Sequence, residues 1–376
     1  MKQPLSGVRV LDFSTLLPGP MATLLLADAG AEVIKIERLG GEDMRGYEPK
    51  IGNDSVNFGL LNAGKRSLAI DLKASDSIKK LKPLIASADI VIEQFRPGVM
   101  DRLGLGYEAL KAINPRIIYC AITGYGQSGP KAQVAAHDLN YVAESGLLAI
   151  AADSSGAPVV PPALIADIAG GAYPAVMNVL LALRQRDQTG EGCKIDVSMS
   201  DNIFTFSYWA MGEGFSTGQW PKPGEGRIAG GSPRYQIYRT ADNKFVAAAP
   251  LEQKFWENFC ELIGLEKSLR DDEIDSTATK RSVAAIIAKY TAAVWAERFV
   301  GKDICCCIVK TIEEATRDPH FVGRGLFSRS LNVGGRSVPA VHTPISPTFR
   351  SGRAEQKYPI LACDNADLLP PLRGED

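Results

Sequence analysis

The sequence predicts an α/β protein with a mainly parallel sheet in a large domain and a second, smaller α+β domain. Three observations lead there. Strand-like and helix-like segments alternate through the first third of the chain, as in βαβ units. A Pro/Gly-rich stretch from Gly218 to Pro233 interrupts the pattern like a linker. Beyond it a hairpin is followed by helical segments, and 376 residues are long enough for two domains.

In order, Val8–Phe13 is β-rich, and Pro18-Gly19-Pro20 opens a helix over Met21–Ala29, since proline suits a first turn. Glu32–Glu37 and Ser67–Leu72 read as strands. A helix over Ser77–Ala88 carries Pro83, which predicts a kink or break. Asp89–Phe95 is a strand, Tyr107–Ile113 a helix and Arg116–Thr123 a strand. Asp167 begins a helix whose packing stripe is Ile168, Ala172, Val176, Val179 and Leu183, with Met177 expected in the core. Gly190 and Gly192 end it, and Lys194–Val197 is a strand. Tyr235–Arg239 and Lys244–Ala249 form the hairpin, and Gly334-Gly335 turns a second one. The expected division is 1–197 and 340–376 for the large domain, 198–232 and 309–339 for linkers, and 233–308 for the small domain. The first strand leads into Ser14-Thr15-Leu16-Leu17-Pro18-Gly19-Pro20 in place of G-x-G-x-x-G, so a Rossmann-like sheet is expected without the dinucleotide fingerprint.

Forty-two basic against 43 acidic residues give a net charge of −1, which favours neither nucleic acid nor an anionic membrane as partner. The apolar runs at Leu147–Ala152 and Val176–Leu183 fall short of a membrane span, and the N-terminus lacks the apolar stretch of a signal peptide. Seven cysteines, without a C-x-x-C pair, suggest free thiols in a reducing, cytoplasmic setting and no metal site. Cys305–Cys307 reads as a strand in apolar surroundings.

Only His137, His320 and His342 offer imidazoles. His137 follows a glycine-rich loop, Gly124–Pro130, itself at the end of a predicted strand, where α/β sheets bind ligands. His320 and His342 sit in turn and strand contexts that suggest structural roles. Asp167 is placed to cap its helix, and Gly170 and Gly171 would let a ligand approach free backbone amides in the first turn. Arg38, Lys65, Arg66, Arg96 and Arg102 are the basic candidates near strand ends for binding phosphate. No G-x-S-x-G elbow supports a hydrolase serine.

Taken together, these residues resemble the family III CoA-transferase superfamily and, within it, the α-methylacyl-CoA racemases. The likeness runs through LSGVRVLDFSTLLPGPMATLLLADAGAEVIKIER at 5–38, LNAGKRSLAIDLK at 61–73 and FRPGVMDRLGLG at 95–106. It continues in ITGYGQSGP at 122–130, AHDLNY at 136–141, TGEGCKIDVSM at 189–199 and DPHFVGRGLF at 318–327. The resemblance implies an interlaced homodimer that acts on acyl-CoA thioesters in fatty-acid metabolism, with no cofactor beyond the coenzyme A of the substrate. It implies His137 and Asp167 as acid/base groups on either side of the α-carbon. Glu252, from the partner subunit, would orient the imidazole, and Asp138 would support the site near the thioester. Arg38, Arg96 and Arg102 would hold the CoA phosphates or adenine. Racemases have a glycine where Ala136 stands, and transferases usually lack the histidine. In transferases the residue matching Asp167 is a nucleophile that forms an acyl anhydride and then an aspartyl-CoA thioester. A CoA-transferase is therefore the alternative reading.

Overall fold

The computed structural model describes residues 2–369 apart from 154, 351 and 353, so the end of the expected 340–376 segment lies outside the described residues. The chain forms two compact units. The first comprises Met1–Ser145, Pro162–Phe204 and Pro319–Asp376; the second comprises Gly146–Pro161 and Thr205–Asp318.

The first unit is built on six parallel strands: β1 (Arg9–Asp12), β2 (Glu32–Glu37), β3 (Arg66–Ala69), β4 (Ile90–Glu93), β5 (Ile118–Thr123) and β6 (Lys194–Ser198). Their spatial order is β3-β2-β1-β4-β5-β6, that of a doubly wound sheet. Order reverses between β1 and β4, so a crevice opens beyond the carboxyl ends of these two strands. The central strands are buried on both faces, which explains runs such as IVIE and IYCAIT in place of polar alternation.

Helix α1 (Pro18–Asp28) is buried nearly all round and starts on its predicted prolines. Pro83 does not break its helix, which runs unbroken over Ser77–Ser87. Burial of Leu81, Leu84 and Ile85 against the core outweighs the missing amide. The strands Ser330–Val333 and Arg336–Pro339 make the expected Gly-Gly hairpin, and Leu331 and Val333 pack with Leu24 of α1. This hairpin thus sits within the first unit, although its residues were expected in a linker.

The long helix differs most from its expected form. It opens with a wide turn of π type over Ala166–Ala172 and continues as an α-helix over Tyr173–Thr189. Asp167 is inside that first turn and does not cap it. Gly170 and Gly171 are needed for packing, not for a ligand. A Cβ at 170 would come within 2.6 Å of the Met199 carbonyl oxygen, and one at 171 within 3.1 Å of Pro18. Met177, expected in the core, is 61% exposed, and Leu181 on the same side is exposed too. The whole stretch Ala166–Thr189 is long and apolar enough by composition to cross a membrane, more than its separate apolar runs suggest. Here it packs on α1 and β5, and Arg186 pairs with Asp89 at 2.9 Å.

In the second unit, Gln236–Arg239, Phe245–Ala248 and Cys306–Ile308 form an antiparallel sheet. Helix Gln253–Ile263 buries Trp256, Phe259, Cys260 and Ile263 at helical spacing against that sheet's core. Of the three consecutive cysteines only Cys306 meets apolar surroundings; Cys305 and Cys307 are exposed. The Trp256 indole is fully buried and donates to the Arg270 carbonyl at 2.7 Å. Trp256→Ala should therefore destabilise the second unit by about 4 kcal/mol, read as a shifted urea midpoint.

Candidate active site

Two cavities open at the carboxyl ends of the strands, and Phe95, just beyond β4, lines both. The first, of about 390 Å³, is lined by His137, Asp167, Gln94, Arg96, Tyr125 and Tyr141 among others. The second, of about 590 Å³, is mostly apolar; Arg38, Lys73 and Arg102 line it, as do the acidic Glu37, Glu42, Asp43 and Asp71. The three arginines expected to act together are therefore divided: Arg96 goes with His137 and Asp167, while Arg38 and Arg102 share the neighbouring cavity.

His137 precedes helix α2 (Asp138–Glu144) as its N-cap. Its backbone N–H donates to Asn140 Oδ1 at 3.0 Å, which fixes the turn from which His137 lines the cavity. Asp138, the next residue, is buried and does not line the cavity. Its Oδ1 accepts the Asp167 N–H at 2.9 Å. A carboxylate on α2 thus anchors the turn that carries Asp167, across 29 residues of sequence.

This contact also corrects the expectation of free amides beside Asp167. The Asp167 amide is taken by Asp138, and the Ile168 amide donates to the Leu164 carbonyl at 3.1 Å. Neither is available to a ligand oxygen.

Among the described residues Asp167 has no compensating cation. Burial, and then the negative charge of Asp138, push its carboxyl up to about 7. At neutral pH it is divided between acid and base forms, as a residue that both gives and takes protons requires.

Glu252 lies in the second unit, exposed, as the N-cap of Gln253–Ile263, and makes no side-chain capping bond. It does not line the cavity of His137 and Asp167. His320 and His342 do not line it either. Two of the basic candidates serve the fold. Lys65 is fully buried against Asp12, and Arg66 pairs with Glu32, Asp364 and Asp367. Arg38 donates to the Gly41 carbonyl at 2.6 Å and pairs with Asp43, so its guanidinium is braced at the cavity edge. Among the described residues no His, Cys, Asp and Glu side chains cluster as a metal site would require.

Sequence reading missed Gln94, Lys73 and Tyr125. The signal was available for all three, since each follows a strand of the sheet, where ligands bind, and Tyr125 lies in the glycine-rich loop already marked for that reason.

A family model for CoA-transferase family III matches residues 5–365. Mouse α-methylacyl-CoA racemase is 38% identical over 327 residues, covering 86% of this chain and 82% of its own. The acetyl-CoA:oxalate CoA-transferase of Acetobacter aceti is 32% identical over 358 residues, covering 92% and 90%. The crystal structure of a CAIB/BAIF family protein from Brucella suis superposes with a TM-score of 0.83 at 28% identity, covering 98% of this chain and 99% of that one. With a family match along nearly its whole length and a fold that superposes on a solved CAIB/BAIF family structure, the chain belongs to CoA-transferase family III.

Proposed function

We propose that this enzyme racemises 2-methylacyl-CoA thioesters by moving the α-proton. The observation that carries the reading is the shared cavity: an imidazole and a carboxyl that titrates near neutrality line one pocket beyond the carboxyl ends of the sheet. A thioester suits this chemistry because its enolate costs less than that of a free carboxylate. For one epimer, His137 removes the α-proton and Asp167, protonated, delivers its own to the opposite face; for the other epimer the roles exchange. Each turnover leaves one group short of a proton and the other with an extra one, and exchange with water resets both.

The neighbouring apolar cavity, with Arg38, Lys73 and Arg102, suits the nucleotide end of coenzyme A: an apolar floor for adenine and cations for phosphate. Arg96 at the first cavity would meet the chain between them. Asp138 acts through Asp167, holding its turn and its proton. In a homodimer, the partner subunit's Glu252 would orient His137, a role that rests on the family resemblance. A cytoplasmic place in fatty-acid metabolism rests on it too.

A CoA-transferase is the second reading, favoured by relatives of that activity at 32% identity. There the Asp167 carboxylate attacks the thioester carbonyl and expels the CoA thiolate, leaving an acyl anhydride. The thiolate then attacks the aspartyl carbonyl and releases the acid. A carboxyl held near 7 is present in both acid and base forms at neutral pH and can give a proton as well as take one, which suits proton transfer. Incubating one 2-methylacyl-CoA epimer in deuterated water, with and without succinate, separates the two. The proposal expects deuterium at Cα without any acceptor. Transfer of CoA to succinate with no deuterium at Cα would overturn it.

A further inference from the structure

We infer that Gln94 is the hydrogen-bond donor to the thioester oxygen of the bound acyl-CoA, an inference that rests on the thioester chemistry proposed above. Whether the α-proton leaves or the carbonyl is attacked, that oxygen gains negative charge and needs a donor fixed in advance. The amides beside Asp167 cannot supply it, because Asp138 and Leu164 occupy them. The Leu16 amide donates to Glu42 and the His137 amide to Asn140. Among the side chains that line the cavity, Tyr141 donates its hydroxyl to the Ala136 carbonyl at 2.8 Å. The Tyr125 and Thr123 hydroxyls also line the cavity, buried and without a hydrogen-bond partner among the described residues, but no hydrogen bond orients either of them; Arg96 and Asn140 are exposed.

Gln94 combines an amide oriented by the main chain with partial burial, whereas Asn140, oriented in the same way by the His137 amide, is exposed. Gln94 follows β4 at the point where strand order reverses. Its Oε1 accepts the Gly19 N–H at 3.0 Å, at the start of α1. That bond orients the amide: with the oxygen turned to the main chain, the NH2 group is the end left over for the cavity. The seat is tight, since a Cβ at Gly19 would come within 3.0 Å of Gln94 Oε1 and within 2.1 Å of Ser14 Cβ. The backbone is pinned as well, by the Phe95 N–H donating to Glu93 Oε2 at 2.7 Å. Gln94 thus has an oriented donor on a rigid strand end, in the same cavity as His137 and Asp167.

Gln94→Glu is the informative variant. A carboxylate can still accept from Gly19 but presents an acceptor where the donor stood. Deuterium exchange at Cα of a 2-methylacyl-CoA and CoA transfer to succinate are measured in the wild type and in the variant, with binding of free CoA and thermal melting as controls. The expected result is a 10²- to 10³-fold fall in kcat, with CoA affinity and melting temperature unchanged. Gln94→Met, which lacks both groups, should fall similarly. Wild-type kcat in Gln94→Glu would overturn the assignment. A wild type that transfers CoA without exchanging deuterium would refute the racemase reading alone. The assignment would then be judged on the transfer rate, supported by the same fall and overturned by no change.

Discussion

Asp167→Asn is expected to lower racemisation by at least about 10³-fold while free CoA binds as before, because asparagine keeps the shape but cannot carry the proton. The nucleotide end of the ligand would sit in the neighbouring cavity, which Asp167 does not line. The same substitution should raise stability at alkaline pH. The Asp167 carboxyl is pushed up to about 7 by burial and by Asp138, whereas an unfolded aspartate titrates near 3.8. The folded protein therefore holds this proton more tightly than the unfolded chain does. Its stabilising effect is complete below the unfolded value and is lost as pH rises through the folded one. Asparagine has no such penalty. The gain of Asp167→Asn over the wild type should then grow between pH 5 and pH 8, by on the order of 2 kcal/mol at most. Unfolding curves at the two pH values check this, and a gain that shrinks with pH would contradict it.

Asp12→Ala should destabilise the first unit by about 3–5 kcal/mol, the range for breaking a buried ion pair. Asp12 and Lys65 are both fully buried at the end of β1, 3.1 Å apart. The carboxylate also accepts the Ser14 amide at 3.0 Å and the Thr23 hydroxyl at 2.6 Å. Burial alone would raise the Asp12 carboxyl, but Lys65, Lys35 and the two hydroxyls together hold it down at about 2. Its contribution is therefore present above the ordinary aspartate range and fades as pH falls towards 2. Burial lowers the Lys65 ammonium to about 8 even with Asp12 opposing. Without Asp12 the lysine would be left as an uncompensated buried charge. The Asp12→Ala, Lys65→Met double variant should then recover a large part of the loss. Chemical unfolding of the three variants measures this. A loss below about 1 kcal/mol in Asp12→Ala would show that the pair does not hold the strand end.

These two sites were unequally legible in the sequence. Parallel strands buried on both faces announce themselves as apolar runs, and β2, β4 and β5 were read within a residue or two. Their spatial order was not readable, because it depends on which crossovers pack together. Asp12 gave no warning of a buried ion pair, since Lys65 lies 53 residues away. Helical spacing correctly marked Val179 as buried, yet it misjudged Met177, because periodicity cannot distinguish a core-facing side from a second apolar side. The wide turn at Asp167 was hidden for a similar reason: it follows from Gly170 and Gly171 lying against Met199 and Pro18. His137 and Asp167 were recognised by residue type and position. Their meeting in one cavity, and the Asp138 contact that supports it, depended on tertiary packing.

The most direct measurement concerns the faces of the α-carbon. Each pure epimer of a 2-methylacyl-CoA is incubated in deuterated water with His137→Ala and with Asp167→Asn, and both exchange and inversion are followed. If the two groups act from opposite sides, neither variant inverts, and each exchanges the α-hydrogen of only one epimer, a different one in each case. Inversion persisting in either variant, or both variants sparing the same epimer, would contradict the account.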